Sequence, residues 1–218
     1  MALELLSPAG SPEALRAAVQ SGCGAVYLGW GNFNARRSAK NFSDEEFADA
    51  IRYCHLRGVR VFLTLNTLLT DRELPESAEV LRKASAWGVD AVLVQDWGLL
   101  TLAKEIVPDL PLHASTQMSL FTLGGANAAA ALGMERVVLA RELSLSEIAE
   151  IRAKTPRDLE LEAFAHGLGG DVARRVAVLR MDAANPDDAQ KAVDVAQARF
   201  GGIDHLVPSA GLYLAQPV

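Results

Sequence analysis

Arg60-Val61-Phe62-Leu63-Thr64-Leu65-Asn66, then Ala91-Val92-Leu93-Val94-Gln95-Asp96, then Leu112-His113-Ala114-Ser115-Thr116-Gln117: three times the chain runs through a short apolar stretch and stops on polar residues. Each stretch has the length of a strand and is apolar at most positions, as parallel strands covered by helices are. Outward from these, further strands are expected at 3–6, 25–28, 136–140 and 159–165. Helical patterns fill the gaps at 12–21, 44–57, 73–87, 99–106, 120–132 and 145–154. Ser11 before Pro12, Ser43 before Glu46 and Ser144 before Glu147 carry N-cap chemistry, and Gly22, Gly58, Gly88 and Gly133 stand where helices should stop. Asp96 can serve as a cap in the same way.

The repeat of strand and helix belongs either to a (β/α) barrel or to a doubly wound open sheet. The strand ends favour the barrel. Asn66, Gln95-Asp96, His113, Ser115-Thr116-Gln117, Arg141-Glu142 and His166 all lie at or near C-terminal strand ends. In a barrel these ends converge on one mouth, the face that carries the chemistry. In an open sheet they would spread along an edge.

Composition sets the outer limits. The chain has 218 residues, half of them apolar, enough for one large α/β core. A net charge of −6 argues against a broad nucleic-acid surface but leaves room for a local basic patch. The N-terminus lacks the basic start of a signal peptide, and no apolar run reaches the roughly 20 residues of a membrane span. Cys23 and Cys54 make no disulfide framework, so a reduced, cytoplasmic setting is expected.

Residues 2–167 resemble the collagenase-like peptidase family, peptidase family U32. The resemblance is carried by Glu4-Leu5-Leu6-Ser7-Pro8-Ala9-Gly10-Ser11-Pro12-Glu13-Ala14-Leu15, Ala25-Val26-Tyr27-Leu28-Gly29 and Phe33-Asn34-Ala35-Arg36-Arg37. It continues through Leu65-Asn66-Thr67, Val94-Gln95-Asp96, Leu112-His113-Ala114-Ser115-Thr116-Gln117-Met118, Leu139-Ala140-Arg141-Glu142-Leu143-Ser144 and Glu162-Ala163-Phe164-Ala165-His166-Gly167. The resemblance implies a peptidase or a protein that takes part in hydroxylating RNA bases or ubiquinone. It also implies an iron–sulfur cluster held by four cysteines, the first of which closely follow the His-Gly pair. Here Gly167 is followed by Leu168-Gly169-Gly170-Asp171, and no cysteine occurs after Cys54. Clusters need converging thiolates, so no cofactor, no metal and no cluster-dependent activity are expected of the chain as it stands.

From about residue 171 the sequence is similar instead to an internal piece of a short-chain dehydrogenase/reductase. Val176-Ala177-Val178-Leu179-Arg180-Met181-Asp182 reads as a strand ending in an acid, and Asn185-Pro186-Asp187-Asp188 caps a helix running to Phe200. Ile203-Asp204-His205-Leu206-Val207 reads as a further strand. The resemblance implies that Asp182 helps hold an adenine ring. A Gly-rich turn opening a helix is missing, and without it there is no cradle for a pyrophosphate.

The expected architecture is therefore a (β/α)8 TIM-like barrel. Seven units come from residues 1–167, and strand 176–181 with its helix supplies the eighth from a tail, 168–218, packed into the same domain. Strand 203–207 is surplus or an extra edge. His113, Glu142 and His166 are the candidate catalytic groups, since histidine carries protons near neutral pH. His113 and His166 could instead only hydrogen-bond a neighbouring loop, and Arg141-Glu142 could simply be an ion pair that orients a loop. Asn34, Arg36, Asn66, Gln95, Gln117 and Arg141 are the candidate substrate-binding groups, with Arg141 suited to a carboxylate or phosphate. A peptide, an RNA or a small anionic ligand would fit such a mouth. A non-catalytic chimeric scaffold and a dehydrogenase fragment are the competing readings.

Overall fold

In the computed structural model, residues 4–31, 33–34, 42–163 and 205–206 are described. Eight parallel strands are ordered β7-β6-β5-β4-β3-β2-β1-β8. They are β1 (Glu4–Pro8), β2 (Ala25–Leu28), β3 (Arg60–Leu65), β4 (Ala91–Val94), β5 (Leu112–Ala114), β6 (Arg136–Val138), β7 (Glu160–Glu162) and β8 (His205–Leu206). Between them run α1 (Pro12–Gln20), α2 (Asp44–His55), α3 (Leu74–Trp87), α4 (Trp97–Ile106), α5 (Leu123–Ala131) and α6 (Leu145–Lys154). No described helix is long and apolar enough to cross a membrane.

Helix starts follow their caps. Ser43 and Ser144 form capping boxes with Glu46 and Glu147, and Asp96 Oδ1 accepts from Leu99 N at 2.9 Å to start α4. The Ser144 hydroxyl and backbone N–H hold the Glu147 carboxyl below its ordinary pKa. One helix starts later than its pattern suggests. Residues 116–118 wind into a 3-10 turn, Ser119 takes a left-handed φ of 54°, and Thr122 then caps α5 through Gly125 N. The apolar spacing from 120 onward is helical, but the Thr122 hydroxyl fixes where the backbone ladder begins.

All six helices lie over one face of the sheet. Leu15, Phe47, Leu81, Leu99, Ala126 and Ile151, one from each, share a single core with Val26, Val61, Leu63, Val92, Ala114 and Val137 of the strands. The alternate strand positions face the other way. There Leu6, Ala25, Phe62 and Ala91 form a small second cluster with Tyr27 and Leu93. An open doubly wound sheet would divide its helices between two faces. Here one face takes every described helix and the sheet curls into a half-barrel around the other.

The complete barrel differs from expectation in two respects. Among the described residues no strand pairing joins β7 to β8, so the described sheet is not closed. The place beside β1 belongs to His205–Leu206, with Glu4 opposite His205 and Leu5 opposite Leu206. Strand 176–181 was expected there; it lies outside the described residues. Two apolar runs in the tail could each satisfy the same parallel edge, and pattern alone cannot rank them.

Candidate functional site

The C-terminal strand ends are joined by a small hydrogen-bond network. Ser115, at the end of β5, is 1% exposed. Its hydroxyl oxygen accepts from Asn66 Nδ2 at 3.2 Å and from Gln117 N at 3.3 Å. The Gln117 carbonyl in turn accepts from Gln95 Nε2 at 3.2 Å. Thr116 donates its hydroxyl to Leu139 O at 3.3 Å, and Ala140 N donates to Leu120 O at 2.9 Å, tying the end of β5 to the end of β6. Three of the expected mouth residues, Asn66, Gln95 and Gln117, are thus brought together through a serine.

Beside this network lies an open, largely polar pocket of about 240 Å³, lined by Thr116, Gln117, Ser119, Ala140, Arg141 and Glu142. Arg141, Glu142 and Gln117 are exposed. The pocket offers two hydroxyls, an amide, a guanidinium and a carboxylate, so it can hold both an anionic group and a group that donates hydrogen bonds. Ser119 is the one described non-glycine residue with a positive φ. A serine there is uncommon, and it sets the corner between the 3-10 turn and α5. The hydroxyl of Thr67, next to Asn66, is buried with no partner among the described residues.

His113 is not at the mouth. It sits mid-strand on the inner face, 5% exposed, with its ring edge-on to Phe62 at 5.2 Å between centroids. The guanidinium carbons of Arg60 and Arg136 lie 5.2 and 5.4 Å from the centre of the same Phe62 ring. Arg136 also pairs with Glu160 at 2.5 Å and Glu162 at 3.3 Å on β7. Burial first, then the charges of Arg136 and Arg60, push the His113 pKa down to about 3. The ring is neutral at physiological pH, and its Nδ1 has no partner among the described residues. A group so far from its ordinary pKa is poorly matched to moving protons at neutral pH.

Asn34 is 1% exposed and donates from Nδ2 to Gly31 O at 3.2 Å. Its amide lies so close to Gly29 that a Cβ on that glycine would come within 2.6 Å of it. It thus shapes the inside of its loop. Asp96 acts as the cap of α4, and its other oxygen accepts from Leu69 N at 3.3 Å. Arg36, His166 and Asp182 lie outside the described residues. Sequence reasoning passed over the inner-face charges Arg60, Arg136, Glu160 and Glu162, although charged residues at alternate positions such as Glu160 and Glu162 were a legible signal.

The implied iron–sulfur cluster does not fit the described residues. Cys23 and Cys54 are both buried, and burial pushes their thiols up to about 11 and about 12, away from the thiolates that a cluster requires. Among the described residues no group of three His, Cys, Asp or Glu side chains could hold a metal.

Comparison with known proteins places this geometry. The model of Peptidase family U32 matches residues 10–170. A 23S rRNA 5-hydroxycytidine synthase of Escherichia coli is 41% identical over 165 residues, covering 76% of this chain and 24% of that protein. A tRNA hydroxylation protein P of Helicobacter pylori is 39% identical over 166 residues, covering 76% and 39%. A collagenase of Porphyromonas gingivalis is 33% identical over 178 residues, covering 75% and 41%. The solved structure of a U32 peptidase superposes with a TM-score of 0.61 at 20% identity, over 74% of this chain and 68% of that one. The chain spans about a quarter to two-fifths of the length of these curated relatives. The family match ends at residue 170, and the dehydrogenase-like reading of the stretch beyond gains no support from these relatives.

Proposed function

This chain belongs to peptidase family U32, and we propose that its mouth binds RNA as part of a protein of the RNA-hydroxylating type. The observation that carries this reading is the polar pocket of Thr116, Gln117, Ser119, Arg141 and Glu142 on its hydrogen-bonded frame, in a chain whose relatives include proteins named for rRNA and tRNA hydroxylation. Arg141 supplies a planar fork of donors suited to a phosphate. Gln117 and Glu142 supply amide and carboxylate groups for a base edge. These residues bind and orient. The cluster finds no ligand set among the described residues, so no reaction step is assigned through it.

Residues 168–218 are assigned to the same domain as the rest, which is supported by the pairing of His205–Leu206 with β1. A fully closed barrel and a cytoplasmic setting belong to the same reading. Asp182 as an adenine contact goes with the dehydrogenase alternative, which lacks its phosphate cradle.

The test is binding of labelled tRNA to the full chain by fluorescence anisotropy, beside thermal melts. Arg141→Ala should weaken binding by about 1.5–3 kcal/mol, the range for a hydrogen bond to a charged group, with the melting temperature nearly unchanged. A lower melting temperature with unaltered affinity would make Arg141 a structural ion-pair residue. The collagenase relative keeps a peptide substrate in view. Binding of a gelatin peptide at this mouth, with none of tRNA at any salt concentration, would replace the RNA reading by the peptidase one.

A further inference from the structure

Five large apolar side chains of the described residues stand exposed: Leu56, Leu68, Trp97, Phe121 and Leu132. Scattered surface leucines need no explanation. Three of the five, however, follow the C-terminal ends of three adjacent strands. Leu68 follows β3 at 68% exposure, Trp97 follows β4 at 51%, and Phe121 follows β5 at 53%. The frame of the pocket fixes the backbone next to each. Asp96, next to Trp97, accepts from Leu69 N, next to Leu68. Gln95, two residues before Trp97, donates to the Gln117 carbonyl. The Leu120 carbonyl, next to Phe121, accepts from Ala140 N, next to Arg141.

The C-terminal end of the sheet thus carries a polar pocket and, on the segments that follow its strands, exposed apolar and aromatic side chains. Unpaired nucleotides need what is found here: flat apolar surfaces for the faces of the bases, polar groups for their edges, and a cation for the backbone. We infer that Trp97 and Phe121 are stacking platforms for unpaired bases, flanking a pocket that reads one base edge through Gln117, Ser119 and Glu142. This deepens the RNA reading and rests on it. It adds that the substrate is engaged single-stranded, in a loop or end, rather than as a duplex. A duplex buries its base faces and leaves Trp97 nothing to stack on.

The chain supplies its own reporter. Of its three tryptophans, Trp30 is 5% exposed and stacks on Phe47, and Trp87 is half-buried against the same rings, which leaves Trp97 as the most exposed and the one whose emission Trp97→Leu removes. A fluorescein-labelled single-stranded RNA, and the same sequence annealed to its complement, are titrated into the full chain. Anisotropy reports affinity and tryptophan emission reports stacking. The single strand should bind more tightly than the duplex and quench the emission. Trp97→Leu should weaken single-strand binding about 5- to 150-fold, the size of one base–aromatic stack, while Trp97→Phe should stay near the wild-type affinity. Phe121→Leu should weaken it by a similar or smaller factor.

Equal single-strand affinity for wild type and Trp97→Leu would overturn the stacking inference and leave the RNA reading standing. Failure of the wild type to bind either RNA would overturn both. If Trp97→Leu instead shifts the sedimentation coefficient of the chain and leaves RNA affinity alone, Trp97 is a contact between protein surfaces and the inference is wrong.

Discussion

The two faces of one sheet are built from adjacent residues of the same strands, yet one is wholly apolar and the other mixes apolar with charged groups. On β3, Val61, Leu63 and Leu65 are fully buried against helices, while Arg60, Phe62 and Thr64 alternate with them on the inner side. The helix-covered face is one continuous apolar core. The inner face sets a small apolar cluster of Leu6, Ala25, Phe62 and Ala91 beside Arg136, Glu160, Glu162 and a buried neutral histidine. The first face holds the fold through apolar area removed from water. The second sits under the mouth and keeps charges where a purely structural core would have excluded them. Strands that seem apolar throughout are thus two different surfaces, separable only once the period of two is applied.

The sharpest way to break this contrast is to remove apolar volume from the helix-covered face. Phe47 is completely buried and packs against Trp30, Phe42 and Trp87. Phe47→Ala should cost about 3–5 kcal/mol in urea unfolding. A loss below 1 kcal/mol would mean that this face is loosely packed.

The inner face should show itself in pH dependence. The His113 pKa in the folded chain, about 3, lies below its ordinary 6.5. Stability that depends on a neutral ring is therefore fully present above pH 6.5 and is lost as pH falls from there toward 3. The slope should be about 1.4 kcal/mol per pH unit. His113→Gln removes this slope. Urea midpoints of both proteins between pH 7.5 and pH 5 should converge or cross as pH falls; parallel curves would show that the ring is solvated.

The smallest effect is expected at the mouth. Ser115→Ala deletes the oxygen that joins Asn66 to Gln117. It should cost about 1 kcal/mol of stability, the net value of a typical hydrogen bond, and should weaken RNA binding because the pocket wall loses its anchor. A stability loss with unchanged RNA affinity would separate the network from the pocket.

Much of this site was readable in advance, and the failures share a cause. Asn66, Gln95, Gln117, Arg141 and Glu142 were singled out because polar residues after apolar strands converge in a barrel, and the structure groups them around Ser115 and the pocket. His113 belongs to the same expectation, as a polar residue near the C-terminal end of its strand. Yet it stands two positions before Ser115, one full pleat lower, where burial and two arginines govern its charge. Asn34 looked like a loop ligand, but packing against Gly29 turns its amide inward. In each case the residue type was informative and its depth was not. Depth depends on strand register, which the chain specifies only through its neighbours.

By itself the sequence determined the parallel α/β order, the six described helices, the caps Ser11, Ser43, Asp96 and Ser144, and the glycine stops at Gly22, Gly58, Gly88 and Gly133. These depend on contacts within a few residues, so local chemistry suffices. Only the tertiary structure decided which tail segment lies beside β1, that all the described helices share one face, that the left-handed Ser119 lines a pocket, and that Trp97 and Phe121 stay exposed. Those features arise from residues far apart in the chain competing for the same edge or the same buried volume. That competition is settled by the packing of the whole sheet rather than by any one stretch of it.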